Sequence, residues 1–220
     1  MKRDRYFEAL NAVEVLPSQE IPQRKSSAKN WKKTAPEDTI FTVVASRLLT
    51  TTPDSLPPAL KGEPQSYGGL QLTPENLELY DRTLEMAVGF GAKVLVFVTS
   101  PQISPSRRGR EALSRFFSKV ERQGLILAWE PHGPWEDDEL VEICRDLDLV
   151  RCVDPLRDNL PEGRYAYARL GPFAAMGRSM AEDELEDIVD VLEPYEEAFC
   201  FFNTERAFKD AQRLRALCEA

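Results

Sequence analysis

The sequence has little histidine and no paired cysteine motif, and both shortages limit the metal sites it can build. His132 is the only histidine among 220 residues, which excludes the histidine-rich multinuclear zinc centres. The four cysteines, at positions 144, 152, 200 and 218, form no CxxC pair, so neither a zinc module nor a disulfide framework is indicated. We expect buried free thiols and, where a metal binds, Mg²⁺ or Mn²⁺ held mainly by carboxylates.

Motifs of nucleotide and serine chemistry are absent as well. The sequence contains no P-loop, no GxGxxG fingerprint, no GxSxG elbow and no HExxH pair. No nucleotide cofactor is therefore expected. The first ten residues alternate charged with apolar side chains and contain no long hydrophobic run, which predicts neither a signal peptide nor a membrane anchor and favours a cytoplasmic location.

Negative charge is in excess, with 37 acidic against 28 basic residues and a formal charge of -9. Such a charge repels anionic membranes and nucleic acid, so neither is expected as a partner and a metal-dependent nuclease is disfavoured. One basic cluster is interpreted as an exposed helix face; it comprises Arg107, Arg108, Arg110, Arg115 and Lys119.

Seven short apolar runs alternate with segments of helical period, the pattern of an α/β protein with a parallel sheet. The runs cover residues 12–16, 39–45, 93–99, 125–130, 150–154, 165–170 and 198–203. A full (β/α)8 barrel usually needs roughly 250 residues. The sequence therefore predicts one domain over residues 1–220, a TIM-type barrel that is incomplete, with about seven parallel strands.

Helix signals fill the intervals between these runs. Leu113, Phe116 and Val120 belong to one apolar stripe, for which Gly124 is the expected helix end. A capping-box pair, Ser179 and Glu182, precedes a later stripe, Thr73-Pro74 opens another helix, and residues 207–218 form the last one. A short helix that packs Trp31 is expected within residues 17–36, and residues 50–72 are expected to form a long loop over one end of the barrel.

Seven landmarks in order resemble the YecE-like family, the domain of unknown function 72 (DUF72), whose known structures are TIM-like barrels. They are Val13-Glu14-Val15, Trp31 with Pro36 ahead of FTVVASRLLT, SPQISPS, WEPHGPW, CVDP, YARLGP and FFNT. The similarity covers nearly the whole chain, and it implies the TIM-like fold.

The chain also departs from the family pattern. The family usually opens with a glycine-rich strand, and no such strand precedes the first helix here, so the first family strand is expected to be missing. The arginine usual between the glutamate and histidine of WEPHG is absent. Other polar positions of the family correspond here to Val44, Thr50-Thr51, Leu170-Gly171 and Thr204.

Six polar residues lie at or just after predicted strand ends: Glu14, Glu130, His132, Asp154, Arg169 and Asn203. In parallel α/β barrels the C-terminal strand ends face the functional site. The glutamates, the aspartate and the histidine are therefore candidate catalytic groups, as acid and base or as metal ligands. The arginine and the asparagine are candidate ligand-binding groups, since a guanidinium can clamp a phosphate or carboxylate.

Structural roles compete with each of these assignments. Glu14 and Arg169 can form a buried ion pair that closes the barrel end. His132 can be a hydrogen-bonded structural residue. The remaining alternatives are that Asp154 caps a loop, that Asn203 caps the following helix, and that Trp129 and Trp135 pack in the core instead of stacking on a sugar.

Two classes of function follow from these alternatives. In the first, the chain is a barrel protein that binds a small-molecule or phosphate-bearing ligand at the C-terminal strand ends, with hydrolase or isomerase activity. In the second, it is a non-catalytic binding or scaffold protein whose open barrel side is covered by a partner chain or a second copy, which would make it a homo-oligomer.

Overall fold

The computed structural model describes residues 3–16, 22, 24–52, 63–171 and 177–219. The chain forms two compact units: a larger unit, Val13–Leu149, and a smaller unit, Met1–Ala12 with Val150–Ala220. That residues 1–220 form a single domain stays a prediction. In chain order the elements are α1 Arg3–Ala9, β1 Ala12–Val15, α2 Lys25–Lys32, β2 Ile40–Val44, α3 Arg47–Thr50, a 3-10 turn Pro64–Ser66, α4 Pro74–Phe90, β3 Val94–Val98, α5 Arg107–Phe117, β4 Ile126–Glu130, α6 Asp137–Asp146, β5 Val150–Val153, β6 Tyr165–Leu170, α7 Glu182–Leu192, β7 Glu197–Phe202 and α8 Ala207–Cys218.

The strands are parallel neighbours in chain order within each unit. In the larger unit Leu95 of β3 lies opposite Val43 of β2 and Leu127 of β4. In the smaller unit Tyr167 of β6 lies opposite Cys152 of β5, and β7 follows on the other side of β6. All seven predicted strands are present. In β2 to β6 most residues are buried, as expected for apolar runs covered on both faces, whereas β1 and β7 are only partly buried.

Aromatic packing forms the centre of the larger unit. Phe97 of β3 is fully buried, with its ring centroid 5.0 Å from that of Phe117 and 5.9 Å from that of Phe116, both on α5. Tyr80 of α4 stacks on the same ring at 6.4 Å. The predicted apolar stripe of α5 thus faces the sheet.

The predicted short helix around Trp31 is confirmed as α2. The Trp31 ring lies 5.7 Å from that of Phe41 on β2 and 5.6 Å from that of Phe90 on α4, both nearly perpendicular to it. Residues 17–21 and 23, which precede this helix in the same predicted segment, fall outside the described residues.

The smaller unit has its own core on one face of its three strands. Ala168 and Leu170 of β6 pack with Leu185 of α7 and Leu214 of α8, and all four side chains are buried. The opposite face carries Tyr167, whose ring is 5.8 Å from that of Phe199. Alternation along one strand thus supplies two different packed faces.

Two predicted helix boundaries are wrong. Helix α5 ends at Phe117, well before Gly124, which lies with φ +80° in the turn that leads to β4. Helix α7 begins at Glu182 after Ala181, and the Glu184 carboxylate accepts a hydrogen bond from the Ala181 N–H at 2.7 Å. This is one half of a capping box, because alanine has no side-chain acceptor for the reciprocal bond, and the Glu184 N–H donates to the Asp183 carboxylate at 3.0 Å instead.

The Glu184 carboxylate also forms two hydrogen bonds with the guanidinium of Arg178, at 2.6 and 2.7 Å. The hydrogen bond from Arg178 is the main reason that the pKa of Glu184 falls to about 2, and the Ala181 N–H adds to it. The start of α7 therefore depends on an ionised carboxylate.

Replacing Glu184 by glutamine is expected to lower the free energy of unfolding by about 1 kcal/mol at pH 7, as loss of a helix N-terminal contact does. The pKa is lower in the folded chain than in the unfolded one, where its ordinary value is 4.5. The stabilisation is therefore complete above that value and disappears as the pH falls towards about 2. Urea unfolding at pH 7 and pH 3 measures the difference between the two proteins.

The control is Glu186→Gln, which changes an exposed acid on the same helix. Its effect should be close to zero at both pH values. A Glu184→Gln deficit that is as large at pH 3 as at pH 7 would contradict the assignment of the effect to the carboxylate.

The described ends of the predicted loop over 50–72 are tied to the helices beside it. The Gly69 N–H donates to the Thr51 carbonyl at 2.8 Å, and the Leu70 N–H donates to the Leu49 carbonyl at 2.9 Å. Asn76 of α4, which is fully buried, accepts from the Gly68 N–H and donates to the Gly68 carbonyl, both at 3.0 Å. Residues 53–62, the middle of this loop, lie outside the described residues.

The cysteines are free thiols, as predicted, but they are not all buried. Cys144 and Cys152 are buried, Cys200 is partly buried and Cys218 is exposed at the end of α8. Burial raises the pKa of the Cys200 thiol, which keeps it in the unreactive thiol form. None of the described helices combines the length and apolar character needed to cross a membrane.

Candidate functional site

A carboxylate and an imidazole meet at the C-terminal end of β4. Strand β4 ends on Glu130, and His132 follows in the turn towards α6. The His132 Nε2 and the Glu130 Oε1 are 2.9 Å apart, a hydrogen bond in which the ring N–H donates to the carboxylate. The Glu130 side chain is 22% exposed and that of His132 is 49% exposed, so solvent and small molecules reach the ring more easily than the carboxylate.

The residues on either side of His132 in this turn all have restricted backbone conformations. Pro131 and Pro134 have φ fixed by their rings. Gly133 has φ +111°, which side-chain-bearing residues rarely adopt, and a Cβ there would come 3.2 Å from the Pro101 carbonyl oxygen. The Trp135 N–H donates to the Gly133 carbonyl at 3.0 Å. The backbone around the imidazole is therefore preorganised.

The loop after β3 runs beside this turn and is hydrogen-bonded to it. The Thr99 N–H donates to the Glu130 carbonyl at 3.1 Å, and the Trp129 indole N–H donates to the Thr99 hydroxyl at 3.0 Å. The Trp135 indole N–H donates to the Ile103 carbonyl at 3.2 Å. Trp129 is fully buried and perpendicular to Trp135, with ring centroids 5.4 Å apart, so Trp129 is a packing residue and not a sugar platform.

Glu14 lies inside β1, partly buried, in the same unit as Glu130. Among the described residues, no group of three or more histidine, cysteine, aspartate and glutamate side chains is arranged to hold a metal ion. The expectation of Mg²⁺ or Mn²⁺ stays a prediction, and so does the ion pair between Glu14 and Arg169.

Asp154 follows β5 in the smaller unit and has a local structural role. Its Oδ1 accepts from the Leu156 N–H at 3.2 Å, and its carbonyl accepts from the N–H groups of Arg157 and Asp158, each at 2.9 Å. Its Oδ2 lies 3.7 Å from the Arg157 Nε, and the side chain is only 13% exposed. The carboxylate caps its own loop, as the structural alternative predicted; a catalytic role stays a prediction.

Arg169 is the fifth residue of β6, partly buried and aligned with Phe201 of β7. Val153 of β5 is paired with Ala168 of β6, so Asp154 and Arg169, the next residue on each side, are neighbours along the backbone. The proposed role of Arg169 in binding an anion stays a prediction.

Asn203 is exposed after β7, and its backbone N–H donates to the Leu170 carbonyl at 2.8 Å. The N-cap of α8 is Arg206, so the prediction that Asn203 caps this helix is wrong. The turn between the strand and the helix is three residues longer than that role requires. The residue is exposed, and its role in binding a ligand stays a prediction.

Sequence reasoning missed a buried acid in the smaller unit. Asp210 of α8 is fully buried, and its carboxylate has no hydrogen bond among the described residues; the Arg213 Nη1 lies 3.7 Å from its Oδ1. The signal was present, since Asp210 lies four residues before buried Leu214 and so belongs to the apolar face of α8. Burial of an ionised carboxylate without hydrogen bonds costs free energy, so an acid within an apolar stripe marks an unusual position.

A surface depression of the larger unit lies between the ends of α5 and α6, and its residues 120–123 come before the start of β4, whereas Glu130 is at the end of that strand. Its volume is about 490 Å³, and it is lined by residues 117–118, 120–123 and 146–148. Arg122 in its wall already bonds to the Asp148 carboxylate at 2.9 Å and to the Leu147 carbonyl at 2.6 Å. These contacts link the loop after α5 to the loop after α6, so we assign Arg122 a structural role.

No known family model matches the sequence, and no curated protein matches it either. Solved structures do match. The DUF72 family protein TM1631 from Thermotoga maritima aligns with a TM-score of 0.66 and 21% identity, over 96% of this chain and 85% of that one. The DUF72 family protein EF0366 from Enterococcus faecalis gives a TM-score of 0.71 and 15% identity, over 98% of this chain and 92% of that one.

A D-tagatose 3-epimerase-like protein also aligns, with a TM-score of 0.56 and 12% identity, over 96% of this chain and 87% of that one. At such identities the likeness establishes the fold and not the activity. The α/β fold class with seven parallel strands is confirmed, and the resemblance inferred from the sequence landmarks is confirmed for the fold. The chain has the TIM-type fold of the DUF72 family structures.

Proposed function

We propose that the chain is an isomerase or a hydrolase that acts on a small polar molecule by general acid–base catalysis. The observation that supports this proposal is the hydrogen bond of 2.9 Å between Glu130 and His132 at the C-terminal end of β4. In TIM-type barrels, catalytic residues come from this end of the strands. A positioned imidazole typically contributes a factor of roughly 10² to 10⁴ in rate.

The two residues have different parts in the proposed reaction. Imidazole changes its protonation state near neutral pH, so His132 is the group that takes up or delivers the proton. Glu130 is the less exposed partner. It fixes the ring orientation through Nε2 and stabilises the protonated ring, and the second ring nitrogen exchanges the proton with the substrate.

The other residues at the strand ends would bind the substrate. Arg169 would pair with a phosphate or carboxylate group, since its planar guanidinium offers two parallel donors, and Asn203 would bond to a polar group of the same ligand. Glu14 and Asp154 are the remaining proposed catalytic carboxylates. Hydroxy-ketones and their phosphate esters are the first substrates to test, because a protein of the same fold is described as D-tagatose 3-epimerase-like.

Proton abstraction next to a carbonyl is detected by deuterium uptake. The protein is incubated with ketohexoses and ketohexose phosphates in D₂O, with Mg²⁺, with Mn²⁺ or with EDTA, and the loss of the carbon-bound proton is followed by NMR. We expect His132→Ala and Glu130→Gln to slow the exchange by roughly 10²-fold or more. Release of inorganic phosphate from the same esters tests the hydrolase reading.

Glu186→Gln, an exposed acid on α7, is the matched control and should exchange at the wild-type rate. Exchange that survives unchanged in His132→Ala would remove the proposed catalytic pair. A folded protein with neither exchange nor phosphate release on the whole panel would contradict the proposed class.

A non-catalytic binding protein is the second candidate, and one observation favours it: Asp154 is already engaged by the Leu156 N–H and by Arg157. This reading predicts that inorganic phosphate or a sugar phosphate raises the melting temperature without turnover, and that Arg169→Gln abolishes the rise. Light scattering measures whether the chain forms a homo-oligomer, as a scaffold with an open sheet edge would.

A further inference from the structure

We infer that Trp135 is a positioning residue for the proposed reaction: its indole anchors the turn that carries His132, and so keeps the imidazole within hydrogen-bond distance of Glu130. This inference rests on the proposed function. Trp135 does not touch the reacting atoms in this assignment; it acts through the backbone of the turn.

The first support is the pair of anchors at the two ends of the turn. At the start, the Glu130 carbonyl accepts from the Thr99 N–H at 3.1 Å. At the end, the Trp135 indole N–H donates to the Ile103 carbonyl at 3.2 Å. Both anchors belong to one loop, residues 99–103, so the turn is held at both ends by the same piece of backbone.

The second support is the short, stiff connection between Trp135 and His132. Only Gly133 and Pro134 separate them, and the Trp135 N–H closes a tight turn on the Gly133 carbonyl at 3.0 Å. The Pro134 ring fixes one φ, and Gly133 at φ +111° lies against the backbone of Pro101. A displacement of the Trp135 backbone is therefore expected to reach the histidine backbone through a linker of only two residues.

The third support is the fixed base on which the indole rests. Trp129 of β4 is fully buried, its ring meets that of Trp135 at 85° and 5.4 Å, and its own N–H donates to the Thr99 hydroxyl at 3.0 Å. Edge-to-face aromatic contacts of this kind have a preferred geometry. The contact with Trp129 therefore fixes the Trp135 ring relative to β4, the strand that ends at Glu130.

The chain's single histidine makes the test specific. With ¹³C placed in the imidazole, the only side-chain signal is that of His132, and its relaxation gives an order parameter for the Cδ2–H bond. We expect an order parameter of about 0.85 in the wild type and below about 0.6 in Trp135→Phe, which keeps an aromatic ring but removes the indole N–H. Where turnover is found, kcat should fall about tenfold in Trp135→Phe with KM within twofold, as misplacement of a catalytic group produces.

Tyr195→Phe is the matched control, because it also deletes one side-chain donor to a carbonyl, the 2.9 Å bond to Pro161, in the smaller unit. It should leave the order parameter unchanged. If Trp135→Phe fails to fold, benzothienylalanine incorporated at position 135 keeps the ring size and lacks the N–H.

The outcomes separate the two ideas. A mobile imidazole in the wild type would refute the Glu130–His132 pair and with it the proposed function. A rigid imidazole in the wild type that stays rigid in Trp135→Phe and in the benzothienylalanine protein would overturn the role of Trp135 and leave the proposed function standing.

Discussion

Phe97→Ala is expected to lower the free energy of unfolding by about 4 kcal/mol, the cost of removing a fully buried phenylalanine side chain and leaving a cavity. Phe97 has no exposed surface and packs against Tyr80, Phe116 and Phe117, with the shortest ring separation at 5.0 Å. Tyr80 is on α4, and Phe116 and Phe117 are on α5. Filling the cavity left by the missing ring would require both helices to move. Urea unfolding at pH 7 measures the loss, with the midpoint reduced and the denaturant slope unchanged.

Leu77→Ala on α4 is the control, because Leu77 is 36% exposed and its truncation should cost less than about 1 kcal/mol. Thermal unfolding gives a second measure, since a loss of about 4 kcal/mol corresponds to roughly 10 °C in a chain of this length. A loss of less than about 1.5 kcal/mol in Phe97→Ala would mean that the aromatic cluster is not packed as described.

The strands of this fold are predictable from sequence for a clear physical reason. A strand covered on both faces must be apolar almost throughout, and short apolar runs such as residues 94–98 and 126–130 have few alternative structures. Helix ends are less predictable. Ser179 and Glu182 satisfy the spacing of a capping box, yet Ala181 and Glu184 occupy the positions that matter, because the carboxylate has Arg178 as a partner.

The position of two candidate residues along the chain is predictable from the sequence, but the geometry between them is not. The sequence places Glu130 at the end of a strand and His132 just after it, yet no spacing rule gives the hydrogen bond between residues two apart. The turn that follows contains Gly133 with φ +111° and two prolines, and its backbone angles are not given by residue type alone. Asn203 shows the opposite failure: the residue type suits a helix cap, but the turn runs on to Arg206. Side-chain roles in turns are set by backbone angles that residue type only restricts.

The loop over residues 50–72 is a third example: the sequence indicates a loop but does not show which side chain outside the loop fixes its conformation. Asn76 makes a reciprocal pair of hydrogen bonds with Gly68, eight residues earlier, and both partners are buried. A buried asparagine with several satisfied bonds specifies one loop conformation. Glycine at position 68 allows its backbone to approach that of Thr51, because a side chain there would collide with the Thr51 carbonyl.

Gly68→Ala is expected to lower the free energy of unfolding by about 4 kcal/mol. An alanine Cβ there would lie 2.0 Å from the Thr51 carbonyl oxygen, closer than any non-bonded contact allows, and φ is +75°. The left-handed backbone accounts for about 1 to 2 kcal/mol of the loss. The rest arises because the Thr51 carbonyl must move away from the Gly69 N–H, and the two hydrogen bonds between Gly68 and Asn76 are strained, at about 1 kcal/mol for each bond lost.

Gly124→Ala is the control that separates these contributions. Gly124 has φ +80°, nearly the same backbone strain, but nothing lies within 4 Å of a Cβ at that position. Its alanine variant should therefore lose only about 1 to 2 kcal/mol. Urea unfolding of both variants, with hydrogen exchange of the Gly69 N–H as a local measurement, gives the difference. Equal losses in the two variants would show that backbone angle alone requires glycine at position 68, and that the described packing of residues 68–70 against α3 contributes nothing to stability.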